Sequence, residues 1–215
     1  MKKLLLLLTA FVVLPGCQSA YYAAAEQVGY AKRDILASRV ESARDAQVDA
    51  KEEITDALTE FRKVVNVDGG DLETRYTSLA AQLEDSEQAA DAVHGRIRDV
   101  EDVAEALFKE WNDELAQYSS ADLRRRSEQQ LRQTRARYEQ MIGAMKRAES
   151  KLEPALQPLR DQVLFLKHNL NARAVAGLKG EVVTVDRQVN QLVAELDRAI
   201  AEANRFIAEL EQDGG

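Results

Sequence analysis

Apolar residues recur at alternating steps of four and three along most of the chain. The longest run comprises Leu72, Tyr76, Leu79, Leu83, Ser86, Ala90, Val93, Ile97, Val100, Ala104, Leu107, Trp111, Glu114 and Tyr118, of which only Ser86 and Glu114 interrupt the apolar line. A stripe with this period is typical of a helix that packs against other helices. The pattern predicts a central helix over residues 71–118, roughly 70 Å long.

Three further stripes with the same period predict helices on either side of the central one. The first consists of Leu36, Val40, Ala43, Gln47, Ala50, Ile54, Ala57, Phe61 and Val64. The next consists of Leu131, Thr134, Tyr138, Met141, Met145, Ala148, Leu152, Ala155 and Leu159. The last consists of Val185, Val189, Leu192, Leu196, Ala199, Ala203, Phe206 and Leu210. Gln47 is a polar residue inside its stripe, a placement that more often sets helix register than binds a ligand.

The turns between these helices carry recognisable end signals. Gly69 and Gly70 suit the left-handed backbone that closes a helix, and Asp71 suits the cap of the next one. Residues 66–71 are therefore interpreted as a hairpin tip between antiparallel helices. Ser119 and Asp122 stand at capping-box spacing and predict a second turn there.

The path of the chain after residue 148 is less determined by the pattern. Pro154 and Pro158 each remove a helix hydrogen bond, so a bend or a short break is expected there. Residues 163–166 are apolar on all sides, which indicates enclosure by several neighbours or by a partner protein. The weak break at residues 177–180 allows the last helix to fold back over residues 148–176 or to continue straight.

Composition agrees with a helical bundle and with a single domain. The 215 residues are 45% hydrophobic and 31% charged, with only three prolines. The predicted fold class is all-α, an elongated antiparallel bundle or coiled coil of three to four long helices. The bundle is assigned to residues 30–211, and residues 212–215 are expected to fray.

The first residues have the pattern of an export signal and lie outside the predicted bundle. Lys2 and Lys3 precede a ten-residue apolar segment that is too short for a permanent membrane span. The sequence Leu-Pro-Gly-Cys that ends at Cys17 resembles a bacterial lipobox. This resemblance implies a signal peptide over residues 1–16 and a tether over residues 17–29. It also implies a diacylglyceryl group on the Cys17 thiol and an acyl chain on its new amine, with palmitate among the expected acyl chains. An ordinary secretory signal with a chance cysteine is the alternative.

The resemblance to a lipobox also implies a location in the cell envelope. Gln18 follows the cysteine, where an aspartate would signal retention in the inner membrane, so the expected location is the outer membrane, facing the periplasm. Several acyl chains on one residue are enough for stable anchoring. With helix one rising from this anchor, residues 68–69 would lie roughly 60–70 Å from the bilayer, and the turn at residues 119–120 would lie near it.

The negative net charge of the chain excludes bulk nucleic-acid binding. Its basic and acidic residues are distributed unevenly along the sequence. Cleavage removes Lys2 and Lys3, so the formal net charge changes from −8 to −10. Residues 121–181 nevertheless hold thirteen Lys and Arg against seven Asp and Glu. The favoured interpretation is a basic helix that lies among acidic ones.

Two segments are candidate contact surfaces. The first is a group of arginines that could touch anionic lipid headgroups beside the anchor, or form ion pairs with the acidic faces of helices one and two: Arg124, Arg125, Arg126 and Arg132. The second is a polar group that is a partner-docking surface near the hairpin tip, a register-fixing polar layer inside the bundle or a catalytic site: Lys167, His168, Asn169, Asn171 and Arg173.

Residue patterns for catalysis or for cofactors are scarce in this chain. His94 and His168 have no second histidine at helical spacing, and the single cysteine is the expected lipid site, so no metal site is expected. The phosphate-loop, Rossmann and nucleophile-elbow motifs are missing from the sequence. Trp111, Met141 and Met145 lie on packing stripes. We therefore expect a protein that is not an enzyme and that uses no cofactor.

Five segments of the chain resemble one particular family. They are YAKRDIL at 30–36, VDGGDLE at 67–73, RDVEDVAEALF at 98–108, SEQQL at 127–131 and QVLFLKHNLNAR at 162–173. The family is bacterial, mostly proteobacterial, with a lipobox and a helical domain of unknown function. The resemblance covers nearly the whole mature chain and implies the helical fold and the lipid anchor, but no activity, ligand or catalytic residue.

Three functions from different classes are compatible with these observations. The leading one is a lipid-anchored structural or scaffolding protein that presents a helical rod to an unknown periplasmic protein partner. An adaptor subunit of an envelope complex is the second, and a bundle that binds a lipid or another small ligand is the third. Self-association remains open because such stripes also form dimers.

Overall fold

The structure is a computed structural model, and it describes residues 32–66 and 71–212. Its helices are α1 (Lys32–Val65), α2 (Leu72–Glu114), a 3-10 turn (Leu115–Gln117), α3 (Ala121–His168), α4 (Ala172–Leu178) and α5 (Val182–Gln212). The predicted signal peptide, the predicted lipid site Cys17, the whole predicted tether (17–29) and the glycines of the hairpin tip lie outside the described residues. Of residues 212–215, which were expected to fray, residue 212 is the last residue of α5 and 213–215 lie outside the described residues. The described part is all-α, as the stripes predict.

The four long helices form one antiparallel bundle in which α1 and α3 are diagonal to each other. α1 packs against α2 and α5, and α3 packs against the same two helices from the other side. Polar pairs between α1 and α5 show the antiparallel register, since Arg62 meets Asp186 at 2.9 Å and Lys51 meets Asp197 at 2.6 Å. The last helix therefore folds back along the bundle, and the straight continuation through residues 177–180 is wrong.

The apolar stripes supply the core almost residue for residue. All nine positions of the first stripe and all eight of the last are buried. Their burial removes a continuous apolar face of each helix from water, which is the main favourable contribution to the stability of such a bundle. Phe61, Ile54 and Leu196 are among the large side chains with no exposed surface.

The end of α2 departs from the predicted stripe. The helix ends at Glu114 and continues as a 3-10 turn, so the buried side chains there are Phe108 and Leu115, while Tyr118 is exposed. Phe108 and Leu115 lie four and eleven residues after the buried Ala104, so they continue its α-helical face. The tighter 3-10 turn then rotates Tyr118 away from the face that the period assumes.

The caps of α2 and α3 also differ from the capping prediction. Ser120, not Ser119, caps α3, and its side chain accepts a hydrogen bond from the backbone of Leu123. Asp71 stands at the start of α2 without a capping hydrogen bond, and its carboxylate instead faces Arg75 at 3.7 Å.

Of the bend or short break expected at the two prolines, the break does not occur, because α3 runs without interruption from Ala121 to His168. Pro154 and Pro158 each remove one backbone donor, which leaves the carbonyls one turn earlier without their helical partners. Ala155, Leu156 and Leu159 are buried around these positions. Packing of this face against neighbouring helices outweighs the two missing bonds.

The chain reverses at residues 169–171, earlier than the glycines at 177–180 suggest. Asn169 ends α3, and Asn171 caps α4 by accepting a hydrogen bond from the backbone of Ala174 at 3.0 Å. α4 is a seven-residue helix that contacts α1 and α3 before α5 begins. The glycine segment makes the second half of this reversal.

Candidate functional site

The two ends of the bundle are distinguished by where α1 begins. Lys32 lies 2.7 Å from Glu110 near the end of α2, and the Arg33 guanidinium donates to the carbonyl of Leu210 near the end of α5. We call this the proximal end, because residues 1–31 precede it. The opposite, distal end contains residue 66, Asp71 and the reversal through α4.

Four large apolar side chains are exposed at the distal end. Leu164 and Phe165 on α3 are 58% and 44% exposed, Leu170 in the reversal is 40% exposed, and Val183 at the start of α5 is 72% exposed. We call these four the distal apolar residues. Only Leu166 of residues 163–166 is fully buried, and Val163 is half-buried. The expected enclosure of this run by other helices of the chain is therefore wrong for two of its members.

The geometry of α3 explains this exposure. Consecutive residues of a helix point about 100° apart, so a run of four apolar residues surrounds the helix axis. α2 and α5 cover the side of α3 that carries Leu159 and Leu166, which are fully buried. Leu164 points to the opposite side, where the described part of the bundle contributes no helix.

The polar group that follows this run lies on the surface. Lys167, His168, Asn171 and Arg173 are exposed, and Asn169 is half-buried and donates to the carbonyl of Phe165 at 3.0 Å. A polar layer inside the bundle is therefore the wrong interpretation for this group. Its members border the distal apolar residues instead.

The arginine group of the sequence is divided by the structure. Arg125 and Arg126 both pair with Asp122, each at 3.0 Å, and lie on the outer side of α3. Arg124 pairs with Glu128 at 3.0 Å. These partners all belong to α3, so the expected ion pairs with helices one and two are wrong for these three residues.

Arg124 and Arg132 line a groove of about 400 Å³ at the proximal end, between the last residues of α2 with its 3-10 turn and the first turns of α3. Arg135 joins them, and its guanidinium lies 5.1 Å from the ring centre of Phe108. We call this the proximal groove, and its full lining is Asn112, Leu115, Ala116, Arg124, Glu128, Leu131, Arg132 and Arg135. Sequence reasoning missed Arg135, although its spacing of eleven from Arg124 places both on one helical face.

Side-chain contacts hold the walls of the proximal groove together. Trp111 Nε1 donates to Ser127 Oγ at 2.8 Å and joins α2 to α3. Deeper along the bundle, the ring of Tyr138 meets Phe108 edge-on at 5.4 Å and approaches Phe206 at 6.4 Å. Burial, followed by the charge of Glu101, raises the pKa of Tyr138 to about 12. This cluster connects α2, α3 and α5.

Ion pairs elsewhere on α3 account for much of its basic charge. Lys146 pairs with Glu101, and Arg160 meets Glu87 at 2.7 Å and Glu153 at 2.8 Å. The hydrogen bond from Arg160 holds the pKa of the exposed Glu153 below its usual value. The interpretation of α3 as a basic helix between acidic neighbours is confirmed for these residues.

The described residues contain no group of three or more His, Cys, Asp or Glu arranged to hold a metal ion. In the same ranges, every helix is too short or too polar to cross a bilayer. A groove between α1 and α2 is lined mainly by acidic and small residues such as Asp49, Glu52 and Ala92. A second groove lies along α2 and is lined by small and charged residues. The distal apolar residues and the proximal groove differ from these grooves in being apolar and arginine-lined, respectively.

Fold and surface together define an all-α four-helix bundle with an exposed apolar group at one end and an arginine-lined groove at the other. The sequence model of a family described as "Protein of unknown function (DUF2959)" matches residues 21–210. The chain belongs to this family. Comparison with curated proteins and with solved structures finds no match.

Proposed function

We propose that the protein is a lipoprotein, anchored through Cys17 in the outer membrane, that acts as a structural scaffold in the periplasm. The bundle would hold its distal apolar residues away from the bilayer and present them to a protein partner. The observation that carries this proposal is the exposure of Leu164 and Val183 at the end opposite to the start of α1.

The proposed anchor rests on the sequence Leu-Pro-Gly-Cys and on the position of α1. Fourteen residues, 18–31, separate the proposed lipid site from the first described residue of α1. An extended chain of this length reaches at most about 50 Å, so the proximal end would stay within that distance of the membrane surface. The distal end would then project by the length of the bundle, roughly 70 Å for α3.

The docking role rests on the chemistry of the distal end. Exposed apolar side chains next to polar ones are typical of a protein–protein contact, in which the apolar residues are buried and the polar ones form a rim. Leu164 and Phe165 would be buried by the partner, and Lys167 and His168 would border the contact. This arrangement favours a protein partner over a small ligand, because the four apolar residues lie on an exposed end.

Acylation is tested by labelling cells with an alkyne-bearing fatty acid while they express the full chain with an affinity tag. We expect the label on the wild-type protein and its loss in Cys17→Ser, together with release of that variant from washed membranes. Equal labelling of both proteins would contradict the anchor. Sucrose-gradient separation of the membranes distinguishes the outer from the inner membrane.

Docking is tested by photo-crosslinking in cells from an unnatural amino acid at position 164 or 183. Val48 is the matched control, because it is an exposed apolar residue at 42% on the side of α1. We expect a discrete adduct from both distal positions and none from position 48. The same adducts from all three positions, or none from the distal two, would rule out the docking role.

A further inference from the structure

We propose that the proximal groove binds the phosphate headgroups of anionic phospholipids, through Arg124, Arg132 and Arg135. The orientation of the groove toward a bilayer rests on the proposed lipid anchor, whereas its chemistry does not. The groove would thus be a second, non-covalent contact with the membrane and would orient the bundle on its anchor.

The charge of the groove suits a phosphate group. Its lining holds three guanidinium groups and the single carboxylate of Glu128, which already pairs with Arg124. Guanidinium groups present paired donors that match phosphate oxygens, and they remain charged at any physiological pH. Arg132 is exposed along this lining and available to a headgroup.

The placement of Arg124 is unfavourable for the helix, and Glu128 is its partner within α3. Arg124 lies in the first turn of α3, where the positive end of the helix dipole makes a basic residue unfavourable. Asp122 compensates in part, but it pairs with Arg125 and Arg126, which lie outside the groove. An anion bound in the groove would relieve the remaining unfavourable interaction.

The apolar part of the groove distinguishes a lipid from a free phosphate ion. Ala116 is exposed in its lining, whereas Leu115 and Leu131 line it as buried side chains. Tyr118, which is 42% exposed, directly follows the 3-10 turn, and Leu123, which is 52% exposed, lies in the first turn of α3. Rings and apolar side chains next to basic residues suit the interface of a bilayer, where a headgroup and the upper acyl carbons are both present. Inorganic phosphate would not use these side chains.

The position of the groove agrees with this occupant. It lies at the proximal end, where Lys32 meets Glu110, two residues before the groove residue Asn112. Arg124 and Arg135 are separated along α3 by roughly 16 Å. The groove therefore extends inward from the end of the bundle that the tether would hold at the membrane.

The test uses the mature chain with Cys17→Ser, so that no acyl chain contributes to binding. Co-sedimentation is measured with vesicles of phosphatidylcholine alone and with vesicles that also contain phosphatidylglycerol. The groove variant is Arg124→Gln with Arg132→Gln, and the matched control is Arg125→Gln with Arg126→Gln. Both double variants remove two positive charges from the first turns of α3.

We expect the wild type to bind only the anionic vesicles. The groove variant should lose about tenfold or more in apparent affinity, and the control less than about twofold. Equal losses in the two variants would show diffuse attraction and overturn the proposal, as would a wild type that does not bind. Millimolar inorganic phosphate that releases the protein, where chloride of equal ionic strength does not, would identify a free-phosphate site and also overturn it.

Circular dichroism of each variant verifies that the helices form. If the groove variant loses helicity, Arg132→Glu is the second variant, since Arg132 is exposed and the substitution leaves Arg124 in place. Vesicle binding by this variant at the wild-type level would overturn the proposal. Failure of the anchor is detected separately by the absence of fatty-acid labelling in cells, which leaves the vesicle result unaffected.

Discussion

At the scale of single residues, Gln47 is a fully buried polar side chain and Tyr138 a partly buried one. Gln47 has no exposed surface, and neither its Oε1 nor its Nε2 has a hydrogen-bond partner among the described residues. Ser86 is also fully buried, but its hydroxyl reaches the carbonyl of Glu53 at 2.9 Å. Burial without a partner has a free-energy cost, whereas burial with a partner is close to neutral.

Replacement of Gln47 by leucine should therefore stabilise the bundle. We expect the free energy of unfolding to rise by about 1–2 kcal/mol, because an unpaired amide is replaced by an apolar side chain of similar size. Urea denaturation followed by circular dichroism measures this change. The oligomeric state from light scattering is the necessary control, since a buried polar residue can also set helix register. A decrease in stability would contradict the expectation.

Because of Tyr138, we expect the free energy of unfolding to depend on pH in the alkaline range. Its pKa in the folded protein is raised from 10.0 to about 12, mainly by burial, so folding favours the neutral phenol. Its contribution is fully present below pH 10 and is lost as the pH rises toward 12. The effect is at most about 2 kcal/mol, because the ring is only partly buried.

Comparison with Tyr138→Phe isolates this contribution from that of other titrating groups. We expect the wild type to lose more unfolding free energy than the variant between about pH 9 and pH 11.5. Denaturant melts at the two pH values measure the difference. Identical pH dependence of both proteins would show that the phenol titrates normally.

At the scale of helices, α3 determines both the packing of the bundle and the character of its surfaces. Its inner face carries Leu159 and Leu166, which are fully buried. Its first turns carry the arginines of the proximal groove, and its last turns carry Leu164 and Phe165. A single continuous helix of 48 residues thus connects the two candidate surfaces.

The two faces of α3 near the distal end differ sharply in their expected sensitivity to substitution. Leu166→Ala removes a fully buried side chain and should lower the unfolding free energy by about 2–5 kcal/mol. Leu164→Ala, two residues earlier and 58% exposed, should change it by less than about 1 kcal/mol. Thermal and urea melts of the two variants decide this. Similar losses would mean that the chain itself covers Leu164.

At the scale of the whole molecule, α5 closes the bundle by covering α1 and α3 together. Arg62 and Asp186 align α5 with the distal part of α1, and Arg137 and Glu209 lie 3.5 Å apart at its other end. Exposed pairs of this kind contribute little to stability by themselves. Burial of the eight-residue stripe of α5 is the larger contribution.

A chain that ends after residue 180 should therefore lose cooperative unfolding. Removal of α5 exposes the apolar faces of α1 and α3, and three long helices cannot enclose a core shaped for four. Circular dichroism melts and size-exclusion chromatography measure the outcome, and we expect a broad transition and aggregation. A sharp transition from a monomer would contradict this role of α5.

Much of the fold was predictable because helix burial is a local, periodic property of the sequence. The stripes through Phe61 and Leu196 identify the buried face of their helices before any neighbour is known, since only one face of a surface helix can be apolar. The candidate sites were less predictable. Arg124 and Arg126 are two residues apart, yet one lines the groove and the other pairs with Asp122 on the outer side.

The sequence by itself determined the all-α class, the four long helices and most of their buried positions, because a repeat of alternating three and four residues is compatible with little else. Tertiary structure decided what the repeat does not encode. Which helices are neighbours depends on the fold-back of α5, and the exposure of Leu164 depends on the side of α3 that remains uncovered. Continuity through Pro154 and Pro158 likewise depends on packing, because burial against other helices outweighs the hydrogen bonds that the prolines remove.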